Sequence, residues 1–350
     1  MLKALNPRQF KEFIGKLRDH YKVIAPFKVK QGQNQKERVL YKEVESPEEI
    51  KSIYLVEQPD ASPKEFYMPR DDRLGDETAG PDFEPEDWSD KKRLFLGVRS
   101  CDIEGIKLYD DVFLEEDYID PFYESRRENS LLVGYSCMEP SKQSFCHEVE
   151  VDPVDNAEVP VYILKEEDTY YLRINAESEE LEEEFLKAAS DLPDAEKDWS
   201  SLTSRRREEL PSGGEFSLDQ DLPYPEEEAF DAVNWEKPTA SCLGCGVCTF
   251  YCPTCFCFKF FWEGLEKNRA WDSCMFSLFT LHASGHNPRE DQDQRWRQRL
   301  LHKFSYHPQH FDGNPGCVGC GRCVVNCPVN LDIRRVLHEV ESTLAEKGGN

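Results

Sequence analysis

The chain has 350 residues and a formal net charge of −26, from 43 Lys+Arg and 69 Asp+Glu. This charge argues against nucleic acid or an anionic membrane surface as a partner, because either would repel the protein. The acidic excess lies before residue 231, since residues 231–350 contain 13 Lys+Arg and 13 Asp+Glu. A solvated acidic surface explains the asymmetry, and a salt-adapted host or an electrostatic docking face are the alternatives.

The cysteines indicate the cellular compartment and the class of protein. The chain contains 14 cysteines, and no apolar run approaches the roughly 18 residues that a membrane span needs. Residues 1–15 alternate charged and apolar side chains, unlike the apolar region of a secretory signal. We therefore expect a soluble, cytoplasmic protein, in which this many cysteines indicates metal ligation and not a disulfide scaffold.

Alternating helix and strand signals in the first 190 residues predict an α/β domain. Asn6 is a candidate helix cap, and Pro7 and apolar residues at helical spacing follow it. Residues 94–98 and 131–135 are short apolar runs, each typical of a buried strand. A predicted helix follows the first run, so the strand-helix-strand order indicates a parallel pair.

Cysteines follow both of these predicted strands directly. Cys101 comes just after the first strand and Cys137 just after the second, and a polar loop leads on to Cys146. The carboxyl ends of parallel strands meet at one edge of a sheet, where α/β proteins place their ligands. We therefore expect the three thiols at the ligand-binding edge of this domain.

The rest of the chain divides into a connection and a metal-binding part. Residues 159–174 predict a hairpin, and an acidic helix after it closes the first domain, which we place at residues 1–190. Residues 191–235 are rich in Asp, Glu, Pro, Ser and Gly and predict an acidic linker. Residues 236–350 form the predicted metal-binding domain.

Two cysteine runs dominate the metal-binding domain. Residues 242–253 read CLGCGVCTFYCP and residues 317–328 read CVGCGRCVVNCP, two copies of CxxCxxCxxxCP. Three thiolates at this spacing can face one [4Fe-4S] cube, and in two-cluster ferredoxins the fourth cysteine of each run ligates the other cluster. The predicted ligands of cluster A are Cys242, Cys245, Cys248 and Cys327. Those of cluster B are Cys317, Cys320, Cys323 and Cys252.

A pair of structural zinc sites is the alternative for these runs, but zinc usually takes two CxxC pairs separated by a longer span. The residues between the runs read mainly helical, and Asn330 is the candidate cap of a closing helix. The predicted fold class is therefore α+β, with an N-terminal α/β domain followed by a helical two-cluster ferredoxin-like domain.

Six cysteines lie outside the two runs. Three of them, Cys101, Cys137 and Cys146, have the positions of a ligand site in the α/β domain, and a fourth ligand could come from residues 255–257. We therefore consider a third, irregularly ligated [4Fe-4S] cluster with Cys257 as its fourth ligand. The alternative is a set of buried free thiols, the commoner fate of cytosolic cysteines.

Histidines and basic residues between the runs are weaker signals. His282 and His286 have i,i+4 spacing, but no HExxH context supports a metal site there. A basic stretch near the second run could offset the negative charge of the clusters or dock an acidic partner, although most such stretches are solvated. Its members are Arg295, Arg297, Arg299 and Lys303.

Several segments indicate a particular protein family more specifically than the cysteine runs do. They are SPKEFYMPRDDRL, LGVRSCDIEGIK, DPFYESRRENSLLVGYSC, CPTCFCF, WRQRLLHKFSY and CVGCGRCVVNCPVNLDI. On these segments, over nearly its full length, the chain resembles the dicluster iron–sulfur family that includes the β subunits of cytosolic NiFe hydrogenases (sulfhydrogenases) and the corresponding iron–sulfur component of anaerobic sulfite reductase. In that family the protein passes electrons between two partners. One partner carries flavin and [2Fe-2S] and reacts with NAD(P)H, and the other is the catalytic subunit. The resemblance implies electron transfer in a hetero-oligomer, with the catalytic residues on other subunits.

Other functions stay open at this point. A hydrogenase-type complex is the first expectation and a sulfite-reductase-type complex the second. A self-contained sulfur or disulfide reductase, which uses an open-sided cluster or thiol near Cys101, Cys137 and Cys146, belongs to another class, as does a structural adaptor. The chain has no GxGxxG after a strand and no P-loop, so we expect no bound nucleotide. Its acidic N-terminal half and linker depart from the simplest expectation for the family.

Overall fold

A computed structural model describes residues 1–32, 35–76, 88, 92–210, 216–218, 224–311 and 313–348. Its strands are β1 (Leu2–Leu5), β2 (Lys22–Gln31), β3 (Lys36–Glu43), β4 (Asp71–Asp76), β5 (Arg93–Val98), β6 (Ser130–Tyr135), β7 (Val161–Glu166), β8 (Thr169–Ile174), β9 (Phe258–Glu263) and β10 (Glu266–Trp271). Seven of them form one sheet in the order β1-β8-β7-β6-β5-β2-β3. In this sheet β2, β5, β6 and β7 are parallel neighbours, and the outer pairs are antiparallel.

Helices cover both faces of this sheet and confirm the α/β character of the N-terminal part. These helices are α1 (Pro7–Arg18), α2 (Lys64–Tyr67), α3 (Ser100–Phe113), α4 (Pro121–Glu128), α5 (Glu183–Ser190) and α6 (Trp199–Glu209). Apolar residues of α1 and α5 share one buried cluster with the sheet, and those of α3 and α4 share another. Asn6 caps α1 through hydrogen bonds from the N–H groups of Arg8 and Gln9, as its position in the sequence predicts.

The range predicted as an acidic linker, residues 191–235, contains regular structure. Helix α6 lies in it, and Trp199 of this helix packs edge-on against Tyr162 of β7. Residues 211–215 and 219–223 of the range are outside the described part of the chain.

The C-terminal part is only partly helical. Its helices are α7 (Glu226–Ala232), α8 (Glu236–Thr239), α9 (Val247–Phe250), α10 (Gln292–Leu301), α11 (His307–His310), α12 (Arg322–Val325) and α13 (Ile333–Gly348). Between the two cysteine runs, where a mainly helical segment was expected, the chain first forms the β9–β10 hairpin, which pairs with β4 in a three-stranded sheet.

A buried charge cluster attaches this hairpin to the N-terminal domain. Asp72 of β4 accepts two hydrogen bonds from Arg126 of α4, at 2.6 and 2.9 Å, and one from Arg269 of β10 at 2.8 Å. Arg269 also pairs with Asp120 at the start of α4. Despite burial, these two guanidinium groups lower the pKa of Asp72, so its carboxylate stays ionised between them.

A second buried ion pair joins the two halves of the chain beside the cysteines. Arg322, between Cys320 and Cys323, donates two hydrogen bonds to Asp102, at 2.6 and 2.7 Å. The Asp102 side chain is 0% exposed and that of Arg322 is 3% exposed. Because Asp102 adjoins Cys101, this pair sets the position of the second run against the sheet edge.

Removal of one partner of this pair leaves the other as an uncompensated buried charge. For Asp102→Ala we expect a loss of about 3–5 kcal/mol in the free energy of unfolding, measured by denaturant titration of the anaerobically purified protein. The double variant Asp102→Leu/Arg322→Met should recover most of this loss, because it leaves no unpaired charge. As a control, Glu12→Ala removes an exposed pair with Arg8 and should change the free energy of unfolding very little, because solvent screens exposed ion pairs. A loss in Asp102→Ala no larger than that of the control would contradict the expectation.

Candidate iron–sulfur centres

Both cysteine runs fold into the same loop. Gly244 and Gly246 have φ values of +65° and +72°, and the equivalent Gly319 and Gly321 have +60° and +74°. Glycine adopts this left-handed region without the steric cost that a Cβ would bring. A short helix then follows each loop, α9 in the first run and α12 in the second, and the two helices pack together. The sequence repeat is therefore also a repeat of backbone conformation.

Cys252, at the end of the first run, lies beside the three cysteines that begin the second. Burial, with a smaller contribution from the Cys252 thiolate, raises the pKa of Cys317 to about 11 and those of Cys320 and Cys323 to about 12. Such an effect requires neighbouring sulfur atoms in low-dielectric surroundings. The structure brings together the four residues predicted for cluster B.

Three of the cysteines predicted for cluster A belong to the first loop, and the fourth, Cys327, belongs to the second run. Burial, with a smaller contribution from neighbouring thiolates such as Cys242, raises the pKa of Cys248 to about 11, whereas Cys245 is exposed to solvent. Cys327 follows α12, the helix that packs on α9, and its Sγ accepts a hydrogen bond from the Leu331 N–H at 3.2 Å. This set differs from the cluster B set because one of its members is at the protein surface.

The chemistry of these donor sets fits iron–sulfur cubes better than single ions. Within the described residues, no three His, Cys, Asp or Glu side chains converge where one metal ion could be held. A [4Fe-4S] cube takes a thiolate at each of four corners, so its ligands lie farther apart than those of a single ion. Each predicted set consists of four cysteines, which is the ligand chemistry of a [4Fe-4S] cluster.

Three cysteines of the N-terminal domain line one cavity at the carboxyl edge of the sheet. Cys101 lies at the start of α3 directly after β5, Cys137 follows β6, and Cys146 begins a short 3-10 turn. The cavity between them measures about 30 Å³, and Cys320 of the second run also lines it. The second run approaches this edge closely, since the Phe145 N–H donates to the Gly319 carbonyl at 2.7 Å. The three thiols thus lie against the second run.

Polar groups around this cavity favour an anionic occupant. The buried Arg99 donates to the carbonyls of Leu55 and Ser136, at 2.5 and 3.1 Å, and its Nε has no partner among the described residues. The Gln58 amide lies 3.3 Å from the Cys101 Sγ. Burial holds the pKa of Cys101 well above its usual value. An anionic cluster bound to this thiol would have a cation and an N–H donor beside it.

Cys257, the candidate fourth ligand, does not line this cavity. It lies against Cys274, whose side chain donates a hydrogen bond that lowers the pKa of Cys257. Cys255 is placed in the same way against Cys252. The structure therefore does not bring Cys257 to Cys101, Cys137 and Cys146, and it gathers the remaining cysteines beside the first run.

A larger cavity adjoins the three-thiol cavity on the Cys146 side. It measures about 430 Å³ and shares Pro140, Ser144, Cys146, Val151 and Pro153 with the smaller one. His147 and Arg207 line it as well. The Cys146 thiol is therefore next to a space large enough for a small molecule.

Two members of the basic stretch lie against the cysteines, which agrees with the charge-compensation alternative offered for it and not with a solvated stretch. Arg299 and Lys303 are buried against the first run, whereas the sequence favoured a solvated stretch. Their i,i+4 spacing, which places both on one face of a helix, was the available signal. His282 and His286, by contrast, are exposed, and their rings lie edge to face at 5.5 Å.

Comparisons with known proteins agree with this geometry. Residues 241–331 match the family model of a 4Fe-4S dicluster domain. The chain is 32% identical over 355 residues to a sulfhydrogenase 2 subunit beta of Pyrococcus furiosus, across 97% of this chain and 98% of that protein. No solved structure matches. None of the helices in the described residues is long and apolar enough to cross a membrane. The chain therefore belongs to the 4Fe-4S dicluster family of the sulfhydrogenase beta subunits.

Proposed function

We propose that this chain is the electron-relay subunit of a multi-subunit oxidoreductase. It connects a subunit that carries flavin and [2Fe-2S] and reacts with NAD(P)H to a catalytic subunit of the hydrogenase (sulfhydrogenase) type. The observation that carries the proposal is a continuous series of cysteine sets, from the exposed Cys245 at one end to the three-thiol cavity at the other. The family membership supports it, since the relative is named as a subunit of a sulfhydrogenase.

The eight cysteines of the two runs are the ligands we propose for two [4Fe-4S] clusters. A bound cluster of this type supplies reversible one-electron transfer. Cluster A has Cys242, Cys245, Cys248 and Cys327 as its ligands, and cluster B has Cys317, Cys320, Cys323 and Cys252. The protein holds these thiolates at fixed positions; Cys245 is exposed to solvent, and the other seven cysteines are buried or partly buried.

The thiols of neighbouring sets are close enough for the sets to work as one path. The Cys248 thiolate is among the groups that raise the pKa of Cys323, after burial, Cys252 and Cys317. Cys320 lies on the wall of the three-thiol cavity, and it contributes to the raised pKa of Cys101. The first run, the second run and the N-terminal cavity are therefore consecutive, with the second run in the middle.

A third cluster at Cys101, Cys137 and Cys146 is part of this proposal. All three thiols line one cavity with the buried Arg99, and the adjoining 430 Å³ cavity gives the Cys146 side room to open. Cys257 is not among the ligands we propose, because it lies against Cys274. A third cluster here would extend the path from the ferredoxin-like domain into the α/β domain.

Iron and acid-labile sulfide analysis of the anaerobically prepared protein tests the third cluster. We expect about twelve irons and twelve sulfides per chain, since each cube holds four of each. Cys137→Ser should reduce both by about four, while the matched control Cys274→Ser should leave them unchanged. About eight irons in the parent protein, or no loss in Cys137→Ser, would rule out a cluster in the N-terminal cavity.

Partner identification tests the relay itself. We expect that anaerobic purification of the native protein from its host yields a flavoprotein and a NiFe-bearing subunit in stoichiometric amounts, identified by mass spectrometry. A sirohaem subunit in place of the NiFe-bearing one would assign the relay to sulfite reduction. A chain that elutes alone would contradict the relay.

The cavity next to Cys146 favours one second candidate, a self-contained sulfur or disulfide reductase. A substrate in the 430 Å³ space would reach the Cys146 thiol directly. Under this alternative the isolated chain reduces sulfur or a disulfide with an artificial electron donor, and Cys137→Ala abolishes the activity. An isolated chain without such activity would exclude it.

A further inference from the structure

Two buried cations lie beside the first cysteine run on one side of helix α10 and its extension. Arg299 is in α10, and Lys303 is in the single π-helical turn His302–Tyr306 that follows it. Their exposed fractions are 2% and 4%. Single π-helical turns within helices are frequent at functional sites.

Lys303 points at Cys252, the cysteine that the first run contributes to cluster B. Its Nζ lies 3.5 Å from the Cys252 Sγ. It also donates to the Gly316 carbonyl at 2.7 Å and to the Thr254 hydroxyl at 2.8 Å. Gly316 directly precedes Cys317, so the ammonium group lies between the end of the first run and the start of the second.

Arg299 lies between the two predicted clusters. Its guanidinium donates to the Cys248 carbonyl at 3.3 Å and is 3.6 Å from the Cys255 Sγ. Its Nε is buried and has no hydrogen-bond partner among the described residues. Burial lowers the pKa of Arg299, but nearby thiolates outweigh this effect, among them Cys248 of the first run and Cys323 of the second.

Within the described part of the chain, neither cation has a carboxylate partner. No Asp or Glu oxygen of the described ranges lies within 4.0 Å of either charged group. A buried charge is costly unless an opposite charge compensates it. The negative groups beside these cations are cysteine thiolates, four of which surround each bound [4Fe-4S] cluster. The negative charge of the bound clusters and their thiolates would therefore compensate the two buried cations.

We propose that Lys303 and Arg299 set the reduction potentials of the two ferredoxin-type clusters, Lys303 for cluster B alone and Arg299 for both. Reduction adds one negative charge to a cluster, and a fixed buried cation stabilises that charge, which raises the potential. Burial of the cysteines acts in the opposite direction, because low dielectric disfavours the more highly charged state. The cations offset that penalty at short range, where salt and water do not screen them.

This inference rests on the proposed cluster ligands, and a redox titration of the full chain, followed by EPR, tests it. Lys303→Met should lower one of the two midpoint potentials and leave the other in place. Arg299→Met should lower both midpoint potentials. Lys303→Arg keeps the charge, so both of its potentials should stay close to those of the parent protein. The matched control is Arg297→Met, because Arg297 is on the same helix but stacks over the Phe230 ring at 3.5 Å, away from the cysteines. It should leave both potentials unchanged.

The outcomes separate this inference from the function on which it rests. Clusters that assemble normally in Lys303→Met and Arg299→Met, with potentials equal to those of the parent, would overturn the role of the two cations. So would an equal shift in the Arg297→Met control. If Lys303→Met does not assemble clusters, Arg299→Met and Lys303→Arg decide the question with the same expected shifts. A parent protein with fewer than two [4Fe-4S] signals would instead refute the proposed ligands.

Discussion

The buried ion pair between Asp102 and Arg322 is the contact on which the arrangement of the cysteines depends. Each partner adjoins cysteines, Asp102 next to Cys101 and Arg322 between Cys320 and Cys323. The pair therefore fixes the edge of the α/β sheet directly against the second ferredoxin-type loop. A bidentate contact restricts orientation as well as distance, so this pair orients the N-terminal thiol cavity towards the cluster-binding domain, together with the Phe145–Gly319 hydrogen bond.

Charge compensation is the second constraint on this site. Thiolates and the clusters they bind concentrate negative charge in the interior. Three buried cations lie beside them, namely Arg299, Lys303 and Lys64. The Lys64 ammonium donates to the carbonyls of Thr249 and Cys255, at 3.2 and 2.9 Å, and burial lowers its pKa to about 8. The large acidic excess of the sequence is thus not a property of the cluster environment, where cations face the sulfur atoms.

Much of this organisation follows from the sequence, because its signals are local. The buried strand β6 (Ser130–Tyr135) and the cap of α1 were expected from short patterns of apolar residues and from a single Asn. The spacing of the runs indicated iron–sulfur ligation, and the family match over residues 241–331 agrees. The position of Cys101 and Cys137 after parallel strands also predicted that their thiols belong to one edge.

Features that depend on residues far away in the sequence could not be predicted from local patterns. Strand β9 has three consecutive aromatic residues, of which Phe260 and Trp262 stay largely exposed, and the hairpin pairs with β4, which lies far away in the sequence. Local burial patterns therefore gave no strand signal for it. Arg299 and Lys303 look like solvated residues until the cysteines that face them are placed. Cys257 was the candidate fourth ligand from residues 255–257, but its neighbour is Cys274.

The positions of iron in the protein test the central claim, a series of three clusters across two domains. An anomalous difference map, recorded at the iron absorption edge from anaerobically grown crystals, shows them directly. The account predicts three centres of iron density: one at each crossed cysteine set and one between Cys101, Cys137 and Cys146. Iron density restricted to the two runs, or located at Cys255, Cys257 and Cys274 in place of the N-terminal cavity, would contradict it.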